Sequence, residues 1–267
     1  MNQVLDALAQ TDALLSIITV TRNDADRLSR TIQSLSQFYD DARFEHLVMD
    51  GVSTDRTTDI VAPLARTGNF QFHSESDKGI YDAMNKGIKK SKGRFLLFLN
   101  CGDCMLARPD DIAAALEIIG SKKTVDITCF SFTQIESGGA EKTIAPRQAR
   151  PYQMPTSHQA MVFSADFTRV QHYDTRYKIA ADYDLYIRAR SITIAPLKQP
   201  ITAVEVDGVA SSQPLISYRE YLLIVSRNLQ GANMLVCMTR IGFKALIVIA
   251  LKSLLPKTWI RKLRRMS

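Results

Sequence analysis

Short apolar segments alternate with helical patterns through the first hundred residues, which leaves few folds open to this chain. Four runs rich in β-branched or aromatic side chains occur at residues 14–20, 45–49, 70–73 and 94–99. Between the first two runs, Leu28, Ile32 and Leu35 recur at helical spacing after a candidate N-cap at Asp24. An order of strand, helix, strand and helix is typical of parallel strands joined by crossover helices. We therefore predict an α/β fold with a mainly parallel central sheet flanked by helices.

Further elements are predicted along the rest of the chain. Helices are expected to begin near residues 53–57 and to cover residues 80–90, 109–119 and 181–190, with a strand at 125–132 and a hairpin turn at 137–140. Residues 214–230 and 234–265 are also helical in pattern. We predict two parts, an α/β domain over residues 1–213 and a helical, basic, membrane-associating extension over residues 214–267.

The positive charge of this chain is concentrated at its C-terminal end. The formal net charge is +7, and no acidic residue follows Glu220, whereas nine Lys and Arg residues do. The rest of the chain has 25 Lys and Arg against 27 Asp and Glu. Because the basic residues alternate with aliphatic runs, they favour an anionic membrane surface over a nucleic acid as the partner.

The basic segment leaves two arrangements open. Its longest uncharged apolar run, residues 245–251, has seven residues, whereas a spanning helix needs about 20, which argues against a simple transmembrane anchor. An amphipathic helix lying in the plane of the membrane is one arrangement. A terminal helix packed on the domain with a solvated basic end is the other.

The cysteines and the N-terminus indicate a cytoplasmic protein, and the basic segment would hold it on the inner face of the cell membrane. The first residues carry acids and lack a basic segment followed by a long apolar core, so they do not resemble a secretory signal. Cys101 and Cys104 form a CxxC pair, but the second pair that a zinc site needs is missing from the sequence nearby. Free thiols are the simpler interpretation.

Polar residues follow three of the predicted strands. Thr21 to Asn23, Asp50 and Asp103 each come directly after an apolar run. Because ligands of open α/β sheets bind beyond the carboxyl ends of the strands, these residues are expected at one rim. Together with Asp77 they suggest a site for a divalent cation and a phosphorylated ligand. The sequence has neither GxGxxG after the first strand nor GxxxxGK[ST], which excludes the common dinucleotide and P-loop sites.

Four segments in order resemble family 2 glycosyltransferases of the GT-A fold, of the bacterial surface-polysaccharide type that includes colanic acid transferases. The segments read SIITVTRND at 16–24, VMDGVSTDRT at 48–57, SESDKGIYDAMNKGIKKSKGRFLLFLNCGD at 74–103, and HQAMVF with YKIAADYDLYIRA at 158–163 and 177–189. The resemblance covers about residues 14–190. It implies a GT-A domain that transfers a sugar from a nucleotide diphosphate sugar, with inversion, to a lipid-linked or growing saccharide.

The same resemblance implies the residues that bind the donor, which are Thr19, Val20, Thr21, Asn23, Asp50, Asp77, Lys78 and Asn100. For Asp50, a carboxylate at a strand end can accept from a base N–H or a ribose hydroxyl, and this role is favoured over the alternative that Asp50 only caps the Asp-Gly turn. Many relatives have an arginine at the position that Met84 occupies in this sequence. Met84 itself is expected to be a core residue. Lys78, Lys86 or the metal alone would then meet the charge of the diphosphate.

The metal, the base and the acceptor side are also implied by the resemblance. Asp103 occupies the place of the aspartate-rich metal motif, and a single carboxylate suits Mg²⁺ or Mn²⁺ bound together with the donor. Asp182 matches the catalytic aspartate that would take the proton of the acceptor hydroxyl, while Asp184 is expected to be a charge near the helix N-terminus. His158 and Gln159 match a pair on the acceptor side.

One other function stays open from the sequence, and a second is disfavoured. A non-catalytic sugar-nucleotide-binding or scaffold subunit of a polysaccharide assembly complex would explain the single carboxylate of the metal motif. A nucleotidyltransferase would need a glycine-rich, basic loop after the first strand, which residues 21–24 do not provide.

Overall fold

The structure of the protein is a computed structural model that describes residues 13–64, 68–121, 125–136, 138–205 and 213–254, with side chains up to Val248. Its strands are β1 (Leu15–Thr21), β2 (Phe44–Asp50), β3 (Phe70–Ser74), β4 (Phe95–Phe98), β5 (Cys104–Met105), β6 (Ile127–Cys129), β7 (Phe132–Ile135), β8 (Glu141–Ile144), β9 (Met161–Ser164), β10 (Ile192–Ile194) and β11 (Thr202–Glu205). Its helices are α1 (Ala25–Ser34), α2 (Thr57–Val61), α3 (Ile80–Lys90), α4 (Pro109–Gly120), α5 (Ala165–Val170), α6 (Ala181–Arg188), α7 (Pro214–Asn228) and α8 (Gly231–Leu254).

The central sheet is mainly parallel, as the alternation of strands and helices predicts. Within the described residues its strand order is β10-β6-β9-β4-β1-β2-β3. Neighbouring strands are parallel except that β9 runs antiparallel to both β4 and β6. Every residue of β1 and β2 is buried, because helices cover both faces of such a sheet. The carboxyl ends of β1, β2 and β4 therefore form one rim.

The predicted strand over residues 125–132 is wrong in one respect, because two shorter strands take its place. β6 belongs to the central sheet, whereas β7 belongs to a second sheet of order β5-β11-β7-β8. Between them, Phe130 donates its amide to Ala160 and Ser131 accepts the amide of Ile201. Partners distant in sequence therefore end the first strand, and neither glycine nor proline marks the break. The turn predicted at 137–140 joins the antiparallel β7 and β8, and Ser137 lies outside the described residues.

The C-terminal helices share the core of the α/β domain. Ile224 and Val225 of α7 and Cys237 and Ile241 of α8 lie in the same buried cluster as the residues of β1, β4 and α6. The predicted boundary after residue 213 therefore separates two segments that share one hydrophobic core. The last basic residues of the predicted extension, from Lys257 onward, lie outside the described residues.

Helix α8 is long and apolar enough to cross a membrane. Its window Gly231–Val248 has a mean hydropathy of 1.4, and 17% of that window is buried against the rest of the chain. Its uninterrupted apolar runs are much shorter than this window, because Arg240 and Lys244 divide them. Length and composition alone do not distinguish a spanning helix from one that lies on a surface.

Candidate functional site

The side chains at the end of β1 divide between the core and the rim. Thr19 is fully buried and its Oγ1 lies 3.0 Å from Nε2 of His46, and Val20 lies in the hydrophobic core. Both side chains therefore contact the interior of the domain, because β1 is buried on both faces. Thr21 lies closer to the rim, where its Oγ1 donates to Sγ of Cys101 at 3.6 Å.

A network of turn hydrogen bonds joins the ends of β1 and β2. Asn23 has a positive φ of 52°, a conformation that asparagine tolerates better than most residues, and its Oδ1 accepts the amide of Thr54 at 2.7 Å. Asp50 accepts the amide of Ser53 at 3.0 Å and the hydroxyl of Ser74 at 2.6 Å. These contacts fit the turn-capping interpretation of Asp50, and a ligand at this carboxylate would share it with Ser53 and Ser74.

The loop before α3 reaches the same rim. Asp77 accepts the amide of Gly79 at 2.8 Å, and a side chain at Gly51 would begin only 2.5 Å from Oδ2 of Asp77. Gly51 therefore allows the loop to approach the end of β2. Lys86 is committed to local partners, since its Nζ bonds the carbonyl of Ser76 and lies 3.5 Å from the carboxylate of Glu75.

Of the two lysines that the sequence leaves open for the diphosphate, Lys78 is the available one. It is exposed, and its side chain forms no ion pair within the part of the chain that the structure describes. Met84 is 2% exposed, which confirms the prediction that it is a core residue.

The turn after β4 offers few oxygens to a metal ion. Asp103 is 4% exposed, and its Oδ1 accepts the amide of Glu205 at 3.2 Å. Burial raises the pKa of Asp103 to about 7, although the Glu205 amide and the Arg27 guanidinium act in the opposite direction. Oδ1 of Asn100 in the same turn is buried without a hydrogen-bond partner among the described residues. An unpartnered acceptor of this kind fits a ligand that donates or coordinates there.

A divalent cation fits this turn only with help from the donor. Mg²⁺ and Mn²⁺ prefer about six oxygen ligands, and in the described ranges no group of three or more His, Cys, Asp or Glu side chains could hold a metal. The cation would therefore rely on Asp103, on diphosphate oxygens and on water. This matches the sequence-based expectation for a motif with one carboxylate.

Asp182 lies at the start of α6 and lines a cavity of about 430 Å³. Its Oδ1 accepts a hydrogen bond from the amide of Tyr183 at 2.8 Å and lies 3.4 Å from the hydroxyl of Tyr81. That hydroxyl donates mainly to the carbonyl of Ile179, at 2.6 Å. Burial raises the pKa of Asp182 to about 6, and the negative charge of Glu220 adds to this effect. The carboxylate is thus ionised at neutral pH yet accepts a proton readily, as a general base requires.

Asp184 faces a different environment two residues later. It is 4% exposed, its carboxylate lies 3.0 Å from the guanidinium of Arg188, and it accepts from the side chain of Asn228 at 3.2 Å. These contacts tie α6 to α7. They give Asp184 a structural role and leave Asp182 as the carboxylate in the cavity.

Glu220 of α7 holds the segment that leads into α6. It is 8% exposed, and its two carboxylate oxygens accept the amides of Lys178, Ile179 and Ala180 at 2.8, 2.9 and 2.9 Å. Sequence reasoning missed this residue. The only available signal was that Glu220 is the last acidic residue before a long basic segment.

The pair predicted for the acceptor side does not line the cavity. His158 is 6% exposed, its Nε2 lies 2.7 Å from the hydroxyl of Tyr173, and its ring stacks on Phe98. Burial lowers the pKa of His158 to about 4, so the ring is neutral at pH 7 and packs as a core residue. Gln159 accepts the hydroxyl of Ser157.

Aromatic and basic side chains complete the cavity that contains Asp182. The lining includes Tyr152, Tyr183, Tyr218 and Tyr221, with Arg240 from α8. The sequence motifs predict no role for any of these residues. Their separation along the chain conceals the fact that they face one space.

Comparison with known proteins independently supports the family resemblance seen in the sequence. The family described as Glycosyl transferase family 2 matches residues 16–180. An uncharacterized glycosyltransferase of Mycobacterium tuberculosis is 34% identical over 183 residues, which cover 66% of this chain and 68% of that protein. A PGL/p-HBAD biosynthesis glycosyltransferase of Mycobacterium bovis is 31% identical over 188 residues, which cover 67% and 70%.

Solved structures resemble the fold at low sequence identity. TarS residues 1–349 of S. aureus, in complex with UDP, matches with a TM-score of 0.64 at 17% identity, over 85% of this chain and 70% of that one. The mannosyltransferase PcManGT of Pyrobaculum calidifontis, in complex with GDP-Man and Mn²⁺, matches with a TM-score of 0.61 at 15% identity, over 96% and 80%. At this level of identity the likeness concerns the fold.

Proposed function

The chain belongs to glycosyl transferase family 2 and has the GT-A fold, and on this premise we propose that it transfers a sugar, with inversion, from a nucleotide diphosphate sugar to a lipid-linked saccharide. It is a glycosyltransferase of glycan biosynthesis. The observation that carries the proposal is Asp182, a carboxylate with a raised pKa in the wall of a cavity large enough for a sugar acceptor.

Asp182 serves as the base in this mechanism. The acceptor hydroxyl attacks the anomeric carbon of the donor sugar, and its proton passes to the carboxylate of Asp182. The new bond joins the acceptor oxygen to that carbon, while the bond between the carbon and the diphosphate oxygen breaks. The electron pair of the broken bond leaves with the nucleoside diphosphate. Attack from the opposite face of the carbon inverts its configuration.

The donor is expected to bind along the rim formed by β1, β2 and the turn after β4. Asn23, Asp50 and Asp77 would contact the nucleoside, and the unpartnered oxygen of Asn100 would accept a hydrogen bond from the donor. Lys78 is available for the diphosphate. A divalent cation held through Asp103, when bound, would neutralise charge on the leaving group.

A thermal-shift screen of the full chain tests the donor site. TarS is described in complex with UDP and with UDP-GlcNAc, and PcManGT with GDP-Man, so UDP- and GDP-sugars are screened with and without Mn²⁺ and Mg²⁺. A donor that binds only the folded state raises its melting temperature. The proposal expects a metal-dependent rise with one nucleotide. Failure of every nucleotide to stabilise the chain would count against it.

Membrane association is the second part of the proposal, with the enzyme on the cytoplasmic face of the membrane. Helix α8 exposes large apolar side chains on one side, which are Leu235, Val236, Phe243, Leu246 and Ile247, between 43% and 68% exposed. At about 100° per residue they span about 120° of the helix. An apolar face bordered by cations suits the surface of an anionic bilayer. We infer that residues 214–254 both complete the catalytic unit and dock it on the membrane.

Vesicle flotation tests this second part. The double substitution Phe243→Ser/Leu246→Ser is expected to reduce binding to vesicles that contain phosphatidylglycerol, because both side chains are 68% exposed on the apolar face. Val170→Ser is the matched control, since Val170 is 75% exposed on α5, outside that face. Equal binding of the double variant and the control would argue against docking through α8.

A further inference from the structure

The cavity beside Asp182 combines two kinds of surface. Tyrosine rings form much of its wall: those of Tyr183 and Tyr221 lie 4.8 Å apart at 73°, and those of Tyr218 and Tyr221 lie 6.1 Å apart. Aromatic rings with polar tips suit a ligand that has both apolar C–H surfaces and hydroxyl groups. Arg240 and Lys244, in contrast, contribute positive charge from α8.

These two cations have no acidic partner in the described part of the chain. Neither forms an ion pair there. They lie four residues apart on one helix, where like charges destabilise the helix slightly. The guanidinium of Arg240 lies 4.6 Å from the centroid of the Tyr152 ring. Stacking of this kind orients the guanidinium plane and leaves its N–H groups free for an anion.

The position of the cations on α8 indicates which anion they meet. With about 100° per residue, Arg240 and Lys244 lie between the exposed apolar face and the buried residues Cys237, Ile241 and Ala245. If the apolar face enters the lipid, as proposed above, the two cations lie at the depth of the phosphate groups. The same two residues line the cavity that contains Asp182.

We propose that Arg240 and Lys244 bind the phosphate or diphosphate that links the acceptor saccharide to its lipid, while the saccharide lies among the tyrosines with its hydroxyl toward Asp182. This inference rests on the proposed function and assigns a site to its acceptor. It places the lipid chain along α8 and the reacting hydroxyl at the other end of the cavity. Helix α8 is thus a wall of the acceptor site as well as a membrane contact.

Binding of farnesyl diphosphate to the full chain tests the site, measured by titration calorimetry. The nucleotide that stabilises the chain in the donor screen is held at saturation, so that the diphosphate of the probe cannot occupy the donor site. Arg240→Gln and Lys244→Gln are each expected to raise the dissociation constant about tenfold, since each removes a charge-assisted contact. Arg240→Lys, which keeps the charge, is expected to lose less. Farnesol, which lacks phosphate, is expected to bind equally to all variants.

Arg219→Gln is the matched control. Arg219 is exposed on α7 and lies outside the cavity lining, so its loss removes the same charge without touching the site. Equal weakening by all three glutamine substitutions would show general attraction to a basic surface and would overturn the proposal. If Arg240→Gln lowers the melting temperature through loss of its contact with Tyr152, Lys244→Gln alone decides, because Lys244 has no such ring contact among the described residues.

Two further comparisons complete the test. One distinguishes ordinary lipid headgroups from the acceptor phosphate, and the other distinguishes failure of this inference from failure of the proposed function. If the Arg240 and Lys244 variants lose binding to phosphatidylglycerol vesicles but not to farnesyl diphosphate, the cations serve ordinary lipid headgroups and the inference fails. Absence of farnesyl diphosphate binding in a chain that a nucleotide stabilises would also overturn it, with the proposed function intact. Absence of any nucleotide effect would instead remove the proposed function, and this inference with it.

Discussion

Replacement of Asp182 by asparagine should slow transfer strongly and at the same time stabilise the fold. The substitution removes the negative charge but keeps the size of the side chain and the oxygen that accepts the Tyr183 amide at 2.8 Å. A general base contributes about 10²- to 10⁴-fold to a rate, so a loss of this size in kcat is expected. Donor binding should be unchanged, because Asp182 lies outside the rim that is proposed to bind the nucleotide.

The gain in stability follows from the pKa of Asp182. Its pKa rises from 3.8 to about 6 in the folded state, chiefly through burial. A shift of about two units corresponds to about 3 kcal/mol in the free energy of unfolding, since each unit is worth about 1.4 kcal/mol. For an acid with a raised pKa this cost is fully present above pH 6 and disappears below pH 4, because the folded and the unfolded chain then both bind the proton. An asparagine side chain at this position carries no charge and avoids the cost.

Urea unfolding at two pH values measures the effect. At pH 7.5 the Asp182→Asn variant is expected to be more stable than the native chain by about 2–3 kcal/mol, and at pH 5 by about half of that. Asp184→Asn is the matched control, since it breaks the 3.0 Å ion pair with Arg188 and should cost about 1–3 kcal/mol. The reasoning is refuted if Asp182→Asn is less stable than the native chain at pH 7.5, or if its advantage is the same at both pH values.

Three other predictions follow from the same site. The rate of transfer should fall about tenfold per pH unit below pH 6, where Asp182 becomes protonated; a rate that is constant between pH 4.5 and 7.5 would contradict its role as base. Glu220→Ala removes the acceptor of three backbone amides and should lower the free energy of unfolding by about 2–3 kcal/mol. It should also reduce kcat while the donor KM stays constant. An unchanged kcat would show that the segment before α6 keeps its position without Glu220. Chelation with EDTA should abolish transfer and the metal-dependent part of the donor-induced thermal shift, and activity that persists in EDTA would exclude a metal at Asp103.

Much of the catalytic domain is readable in the sequence because its signals are local. The strands β1 to β4 and the helices α1, α3 and α4 follow from apolar runs and helical spacing within windows of about a dozen residues. The ordered motifs identify the family, which the match over residues 16–180 confirms. Met84 was correctly predicted to be a core residue from its helical spacing alone. The roles of the site residues, including Asp182, stay predictions that the experiments above address.

The sequence by itself determined the fold class, the family and the uneven distribution of charge, since each of these depends on residue types and their local order. Only the tertiary structure decided which side chains share a space. Thr19 and His158 lie in motif segments yet are buried, whereas Glu220 and Arg240 lie outside every motif yet contact the segment before α6 and the cavity beside Asp182. The physical reason is that burial and cavity walls depend on how α7 and α8 pack against α6, and residues that meet there are separated by some 40 to 90 positions of chain.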